Sequence, residues 1–293
     1  MKILAAAIQM PSTPGDVAGN LDRADTHLRA AALGGAGLAV LPELFNTGYG
    51  LIADYAPLAE PADGPTMSHL AARSREWGML IAGGFVESHG HHLYDSLGLC
   101  TPEGHVHVYR KRNLVFWERF RFARGDGPVV APTKLGRIGL GVCADMIYKR
   151  TWDAYRGRVD LSVISAAWPD FARRETGRKH WLCGHLGPMA ATIPTAVGRD
   201  LGVPVVFANQ VGHTQTTIPL LGTRVAERIR DTFAGTSAVV DGRHGVASVA
   251  GRSEGITLAE VMIHPARGPR TWVSMSPSAS AAASSASAPS SSA

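Results

Sequence analysis

Cysteine is scarce in this 293-residue chain: only Cys100, Cys143 and Cys183 are present. They are too few and too scattered for a disulfide framework, and none forms a C-x-x-C pair. That usage fits a reducing compartment, and a cytoplasmic location is the expectation. Long apolar runs are missing as well. No stretch approaches the roughly 20 apolar residues that a membrane-spanning helix needs, so no membrane is expected as a partner. The opening MKILAAAIQM holds a six-residue apolar run, Ile3 to Ile8, against about 7–15 residues in a secretory h-region, and it reads as a first strand. Charge of one sign is not concentrated either. The net charge is +5, but basic residues alternate with acids in RADTHLRAA and RVAERIRD, which read as solvated helix faces. The denser groups YRKRNLVFWERFRFAR and FARRETGRKHW accompany no recognised nucleic-acid module, so nucleic acid is excluded as a partner. No internal repeat is found.

What is there is an alternation of strand and helix patterns. KILAAAIQM reads as a strand, VAGNLDRADTHLRAAALGG as an amphipathic helix and AGLAVLPE as a buried strand. PTMSHLAARSREWG follows as a helix capped by Thr66 or Ser68, then MLIAGGFVES as a strand. HHLYDSLGLCTPEGHVHVYRK reads as a hairpin turning at PEGH. KLGRIGLGVC, DLSVISAA and PVVFANQVG are strands, and HLGPMAATIPTAVGRDLG is a helix. GTSAVVDGRHGVASVA is a hairpin with its turn at Asp241 and Gly242. This pattern predicts an α/β protein with mixed sheets. From about Ser276 the chain is nearly all Ser, Ala and Pro without charge, a composition that cannot bury enough apolar surface to offset its ordering entropy. Residues 1–275 are therefore read as one domain and 276–293 as a disordered tail.

Three polar residues stand directly after apolar runs: Glu43 in LAVLPELFNTGY, Lys111 in HVYRKRNL and Cys143 in GLGVCADM. Strand ends are where α/β proteins collect reacting groups. Taken singly, Cys143 would be core filler and Lys111 a surface charge. Together, the three residue types solve one chemical problem. A thiol with a pKa near 8.5 is only about 3% thiolate at pH 7. A carboxylate beside it can take the proton, and an ammonium can stabilise both the thiolate and the oxyanion of a tetrahedral intermediate.

In this order the three segments resemble the nitrilase superfamily of carbon–nitrogen hydrolases. The match runs over roughly residues 1–264. AAIQM with Asp16 and Asn20 is similar to the family's opening, and ESHGHHLYDS to its Glu-then-Tyr-Asn-Ser hairpin. PVVFANQVG, FAGTSAVVDGRHGVASVA and SEGITLAEV are similar to its closing segments. The resemblance implies a four-layer α-β-β-α sandwich of two mixed β-sheets, no metal or organic cofactor, and a homodimer or larger homo-oligomer. It also implies hydrolysis of a C–N bond in a small amide or N-carbamoyl compound through a cysteine thioester. By this resemblance Glu43 would be the general base, Lys111 the stabiliser of the tetrahedral intermediate and Cys143 the nucleophile. The Ala144 N–H would complete the oxyanion hole, and Glu118 in FWERF would contact the lysine and the substrate.

Departures from the family pattern bear on the substrate. Asn113 stands where a His usually follows the lysine, and MIYKRTW replaces a common Phe-Pro-Glu run. Ala144 and Asp145 follow the cysteine, where the nitrile-cleaving branch has Trp-Glu. An amide or carbamoyl substrate is therefore placed ahead of a nitrile. A member that binds a ligand or partner without turnover is the reading from another class. The pocket would be shaped by Met146, Ile147 and Tyr148, with Trp168 of SAAWPD either lining it or packed as a core aromatic. Glu118 could equally be a solvated carboxylate paired with Arg119 or Arg121. Cys183 with His180 and His185 lacks a second ligand pair at metal-site spacing. His89, His91 and His92 sit in a hairpin turn, where solvent exposure explains them better than a metal. The arginines of FARRETGRKH read as a charged surface loop.

Removal of residues 276–293 is expected to leave the melting temperature and any turnover nearly unchanged. Thermal unfolding of full-length and truncated protein checks this, and a large loss of stability would assign the tail to the fold.

Overall fold

The computed structural model describes residues 1–50, 54–170, 183–219 and 226–264. The Ser/Ala/Pro tail, the 171–182 segment with its arginines and His180, and the side chains of Cys183 and His185 lie outside the described residues.

Two six-stranded mixed sheets face each other. Strands β1 (Lys2–Gln9), β2 (Leu38–Val40), β3 (Leu80–His89), β4 (His92–Cys100), β5 (Val106–Arg110) and β14 (Gly255–Met262) build the first, in the order β14-β1-β2-β3-β4-β5. Strands β6 (Val130–Thr133), β7 (Gly136–Val142), β8 (Leu161–Ala166), β9 (Val205–Asn209), β12 (Ala238–Asp241) and β13 (Gly245–Val249) build the second, in the order β13-β12-β9-β8-β7-β6. Helices α1 (Val17–Leu33) and α2 (Pro65–Trp77) cover the outer face of the first sheet. Helices α3 (Lys149–Asp153) and α4 (Cys183–Leu201) belong to the second sheet's side, where α4 packs on β9, β12 and β13. The result is the α-β-β-α sandwich.

The two-residue period of the strands sorts their side chains between layers. In β1, Ile3, Ala5 and Ala7 join the core that spans the sheets, while Ala6 and Ile8 join the cluster under α1 and α2. In the β2 segment Leu38 and Val40 face the first core, and Ala39 and Leu41 the second. Both faces of these central strands are therefore buried, which is why their sequences read as unbroken apolar runs rather than alternating ones.

Two expectations need correction. Helix α2 is not capped by Thr66 or Ser68: Gly64 is its N-cap and Pro65 occupies the first helical position, where a missing N–H costs nothing. Thr66 instead donates its N–H and hydroxyl to the two Glu60 oxygens at 2.6 and 2.8 Å. RVAERIRD is not a helix face. Ala226–Thr232 is strand β11, paired antiparallel with β10 (His213–Pro219) from His213↔Thr232 to Pro219↔Ala226. Pairing with a partner strand has overridden local helix propensity there.

Close packing on the first sheet fixes one loop. A Cβ on Gly84 of β3 would lie 2.7 Å from both Glu43 Cα and Leu44 N, so the chain after β2 rests directly on the bare Gly84 backbone. Two backbone hydrogen bonds hold it, Gly84 N–H to Pro42 O at 3.2 Å and Phe45 N–H to Gly84 O at 3.1 Å. Gly84→Ala is expected to cost about 1–3 kcal/mol through overpacking and to push Glu43 out of place. A lowered melting temperature with the fold retained checks it.

Candidate active site

Glu43, Lys111 and Cys143 follow the C-terminal ends of β2, β5 and β7. The first two come from one sheet and the third from the other, so the site forms only when both sheets pack. All three are buried. Lys111 is the centre: its Nζ donates to Glu43 Oε1 at 2.6 Å and to Glu118 Oε1 at 2.7 Å, and lies 3.1 Å from Asp95 Oδ2.

Burial alone would strip the proton from an ammonium. The carboxylates of Glu118, Glu43 and Asp95 outweigh it and hold the Lys111 pKa well above its usual value. Burial in turn raises the Glu118 pKa, with Lys111 opposing it. These three carboxylates are also the one group among the described residues whose spacing would suit a metal ion. The ammonium already sits among their oxygens, in the place of a cation.

Glu43 is gripped from the second sheet. Its Oε2 accepts the Ala167 N–H at 2.7 Å, its carbonyl accepts Gln210 Nε2 at 2.7 Å, and its own N–H reaches Ala166 O at 3.4 Å. The Ala167 N–H also reaches the Cys143 thiol, which brings nucleophile and carboxylate to one donor. Burial first, and Glu43 second, push the thiol pKa well above its usual value, against the pull of Lys111. The surroundings thus disfavour a preformed thiolate.

Cys143 opens a short 3-10 helix, Cys143–Ile147, and has φ = 44°. A non-glycine residue in the left-handed region costs on the order of 1–3 kcal/mol and persists only where its surroundings enforce it. Asp145 does so. Its Oδ2 accepts the Val142 N–H at 3.1 Å and the Tyr109 hydroxyl at 2.8 Å, and its Oδ1 accepts Asn113 Nδ2 at 2.7 Å and the Asn113 N–H at 3.1 Å. The bend turns the chain out of β7 directly into the 3-10 turn.

The other candidates separate clearly. Glu118 is no solvated carboxylate: it is fully buried and accepts from Lys111, from the Tyr49 hydroxyl at 2.7 Å and from the Val115 N–H at 3.0 Å. Ala144 is buried beside the nucleophile. Trp168 packs in the core that spans the sheets, and its backbone N–H donates to Asn209 Oδ1 at 2.7 Å. Tyr148 is exposed at the start of α3, and no described contact joins it to the cluster. His89, His91 and His92 lie at the exposed β3–β4 turn. Sequence reasoning missed Asp95, Tyr49 and Gln210. For Gln210 the Asn-Gln pair at the end of β9 was the available signal. Asp95 lies inside a strand, where it departs from the Asn of the Tyr-Asn-Ser pattern, and Tyr49 lies in a loop with nothing local to mark it.

The chain is similar to known proteins. Residues 4–267 match the family described as carbon-nitrogen hydrolase. An (R)-stereoselective amidase of Pseudomonas sp. is 28% identical over 247 residues, covering 84% of this chain and 80% of the amidase. A nitrilase of Pyrococcus abyssi is 33% identical over 138 residues, covering 44% of this chain and 51% of the nitrilase. Among solved structures, a Glu-to-Gln mutant of the amidase from Nesterenkonia sp. AN1 superposes with a TM-score of 0.70 at 22% identity, covering 88% of this chain and 92% of that one. In that structure acrylamide has undergone Michael addition at the active-site cysteine.

Lys111→Met removes the one cation from three buried carboxyl groups. Breaking a buried ion pair by removing one partner costs about 3–5 kcal/mol. The loss should depend on pH. Without the ammonium, Asp95 and Glu118, already raised by burial, have folded pKa values further above their unfolded ones. A raised carboxyl contributes stability below the unfolded pKa and loses it as pH climbs through the folded one. The deficit against wild type should therefore widen from about pH 5 to pH 8, the range above ordinary carboxyl pKa values. Melting temperatures across that range check this, and a pH-independent deficit would contradict it.

Proposed function

Because the chain belongs to the carbon–nitrogen hydrolase family, we propose that it hydrolyses the C–N bond of a small amide or N-carbamoyl compound through a thioester on Cys143. The observation that carries this reading is the single buried cluster in which Glu43, Lys111 and Glu118 are hydrogen-bonded beside a cysteine held in a left-handed bend. A thiol whose pKa is raised needs a base, and Glu43 shares the Ala167 N–H with it. In this reading Glu43 takes the thiol proton as Sγ attacks the carbonyl carbon. The proton passes to the leaving nitrogen, the C–N bond breaks and the acyl group stays on sulfur. Water then attacks the thioester, Glu43 again taking a proton, and Cys143 leaves as the thiol.

Lys111 and the Ala144 N–H would face the oxyanion. Donors fixed in place before the reaction need no reorganisation when charge develops, and each is worth about 2.7–4 kcal/mol. Three buried carboxyl groups around it keep Lys111 charged for this task. Of the two aromatic candidates for substrate contact, Trp168 is better supported, since it directly follows the Ala167 that binds Glu43. An amide or carbamoyl substrate is favoured over a nitrile because the amidase relative matches 84% of the chain and the nitrilase 44%. Asp145 adds to that preference: it is spent on the backbone and side chain of its neighbours.

The test is ammonia release from a panel of small primary amides, N-carbamoyl amino compounds and nitriles, with intact-mass spectra taken alongside. Release from amides or carbamoyl compounds, lost in Cys143→Ala, together with an acyl adduct on the wild-type protein, is the expected result. Turnover confined to nitriles would overturn the substrate class. Turnover that survives in Cys143→Ala would overturn the nucleophile. Silence across the panel, with no adduct on Cys143, would favour a member that binds without turnover.

A further inference from the structure

Lys111 faces three carboxyl groups, one more than the reaction above uses for chemistry or for contact with the lysine from Glu118. The third belongs to Asp95, on β4 opposite Val86 of β3. Its carbonyl accepts the Lys111 N–H at 2.8 Å, and its carboxyl is fully buried with Oδ2 3.1 Å from Lys111 Nζ. One oxygen from each of Glu43, Asp95 and Glu118 lies within 4.8 Å of the others. Ionised together, they would place three negative charges around one positive charge in a site from which water is excluded.

The hydrogen bonds distinguish the three carboxyl groups. Glu43 accepts from Lys111 and the Ala167 N–H, and Glu118 accepts from Lys111, Tyr49 and the Val115 N–H. Neither oxygen of Asp95 accepts a hydrogen bond among the described residues. Hydrogen bonds to the charged form are what keep a buried carboxylate ionised, and Asp95 has none. As two carboxylates, Asp95 and Glu43 offer each other no donor; with a proton on Asp95 they do. The charged and titratable groups around Asp95 and its lysine are Glu43, Tyr49 and Tyr55 from the chain after β2, Lys111 after β5, Glu118 from the 3-10 helix Phe116–Phe120, and Cys143 after β7. Only Lys111 among them favours ionisation, and burial with the two glutamates opposes it.

We propose that Asp95 is a positioning residue held as a neutral carboxylic acid, its O–H donated to the Glu43 carboxylate. The cluster then keeps one proton among three carboxyl groups. Glu43 stays oriented toward Cys143, while Lys111 is not over-neutralised. The catalytic consequence rests on the reading of Glu43 as the base; the protonation state does not, and it is measured without substrate.

Infrared spectra of the full chain, with aspartate labelled by ¹³C at the carboxyl carbon, read the proton directly. At pH 7 a protonated carboxyl band that shifts with the label and disappears in Asp95→Asn is expected. Absence of any labelled protonated band in the wild type would overturn the proposal even if the variant failed to fold. Thermal stability gives a second arm. A neutral Asp95 with a raised pKa loses stability as pH climbs, so Asp95→Asn should gain on wild type between about pH 6 and pH 9. A variant less stable than wild type throughout that range would mean that an ionised Asp95 is needed. If turnover is found, Asn, which keeps a donor, should retain at least a third of kcat/KM. Leu, which has none, should lose about 10-fold or more, chiefly in kcat. Equal losses in both would refute the donor role. If no amide is turned over, the functional reading fails alone, because the spectra and melting curves still decide the protonation.

Discussion

An ammonium without solvent is the constraint around which this protein is arranged. Lys111 is among the largest fully buried side chains in the molecule, and a buried ion is tolerated only when its hydrogen bonds and counter-charges are complete. Its partners come from separate parts of the chain: Glu43 from the loop after β2, Asp95 from β4 and Glu118 from a 3-10 turn. Tyr49 then closes over the group, its hydroxyl on Glu118 and its ring 5.9 Å from the ammonium. None of these segments can be in place unless the others are. The ion cluster adds little net stability by itself, since desolvation cancels much of the Coulombic gain. What it does fix is a single arrangement of groups from β4 and from the chain after β2 and β5.

The nucleophile depends on a second device. Cys143 is turned into the left-handed region at the end of β7, and Asp145 holds the bend by accepting four hydrogen bonds, two of them from Asn113. Asn113 lies two residues after Lys111 and also donates to Thr151 Oγ1 at 2.9 Å. The lysine's loop and the cysteine's bend are thereby tied together across the two sheets.

How much of this was legible depends on how each residue is embedded. Glu43, Lys111 and Cys143 could be read because each ends an apolar run, and a polar residue there breaks a pattern. Most strands and both long helices of the first sheet's layer announced themselves through periodicity and turn residues. Asp95 could not be read: within YDSLGLC it looks like a polar residue in a half-exposed hairpin, and only the pairing of β4 between β3 and β5 buries it. Tyr49 and Gln210 act through contacts 69 and 167 residues away in the chain, a separation that local patterns do not encode. RVAERIRD failed for the opposite reason: its local signal was clear but a partner strand outweighed it.

The Asn at position 113 shows why a departure from a family pattern need not be a loss. A histidine is usual there, and its replacement reads in sequence as a gap in the site. In the fold, the shorter amide is fully employed, its Nδ2 donating to both Asp145 and Thr151. An amide cannot titrate between pH 5 and 8, whereas histidine does. The donor side of the tie between the lysine's loop and the cysteine's bend therefore does not titrate; its acceptor is the Asp145 carboxyl, whose pKa burial raises. The ionisation states that matter are gathered in the carboxyl cluster around Lys111, where burial and mutual repulsion leave one cation and its acids to divide the protons among themselves.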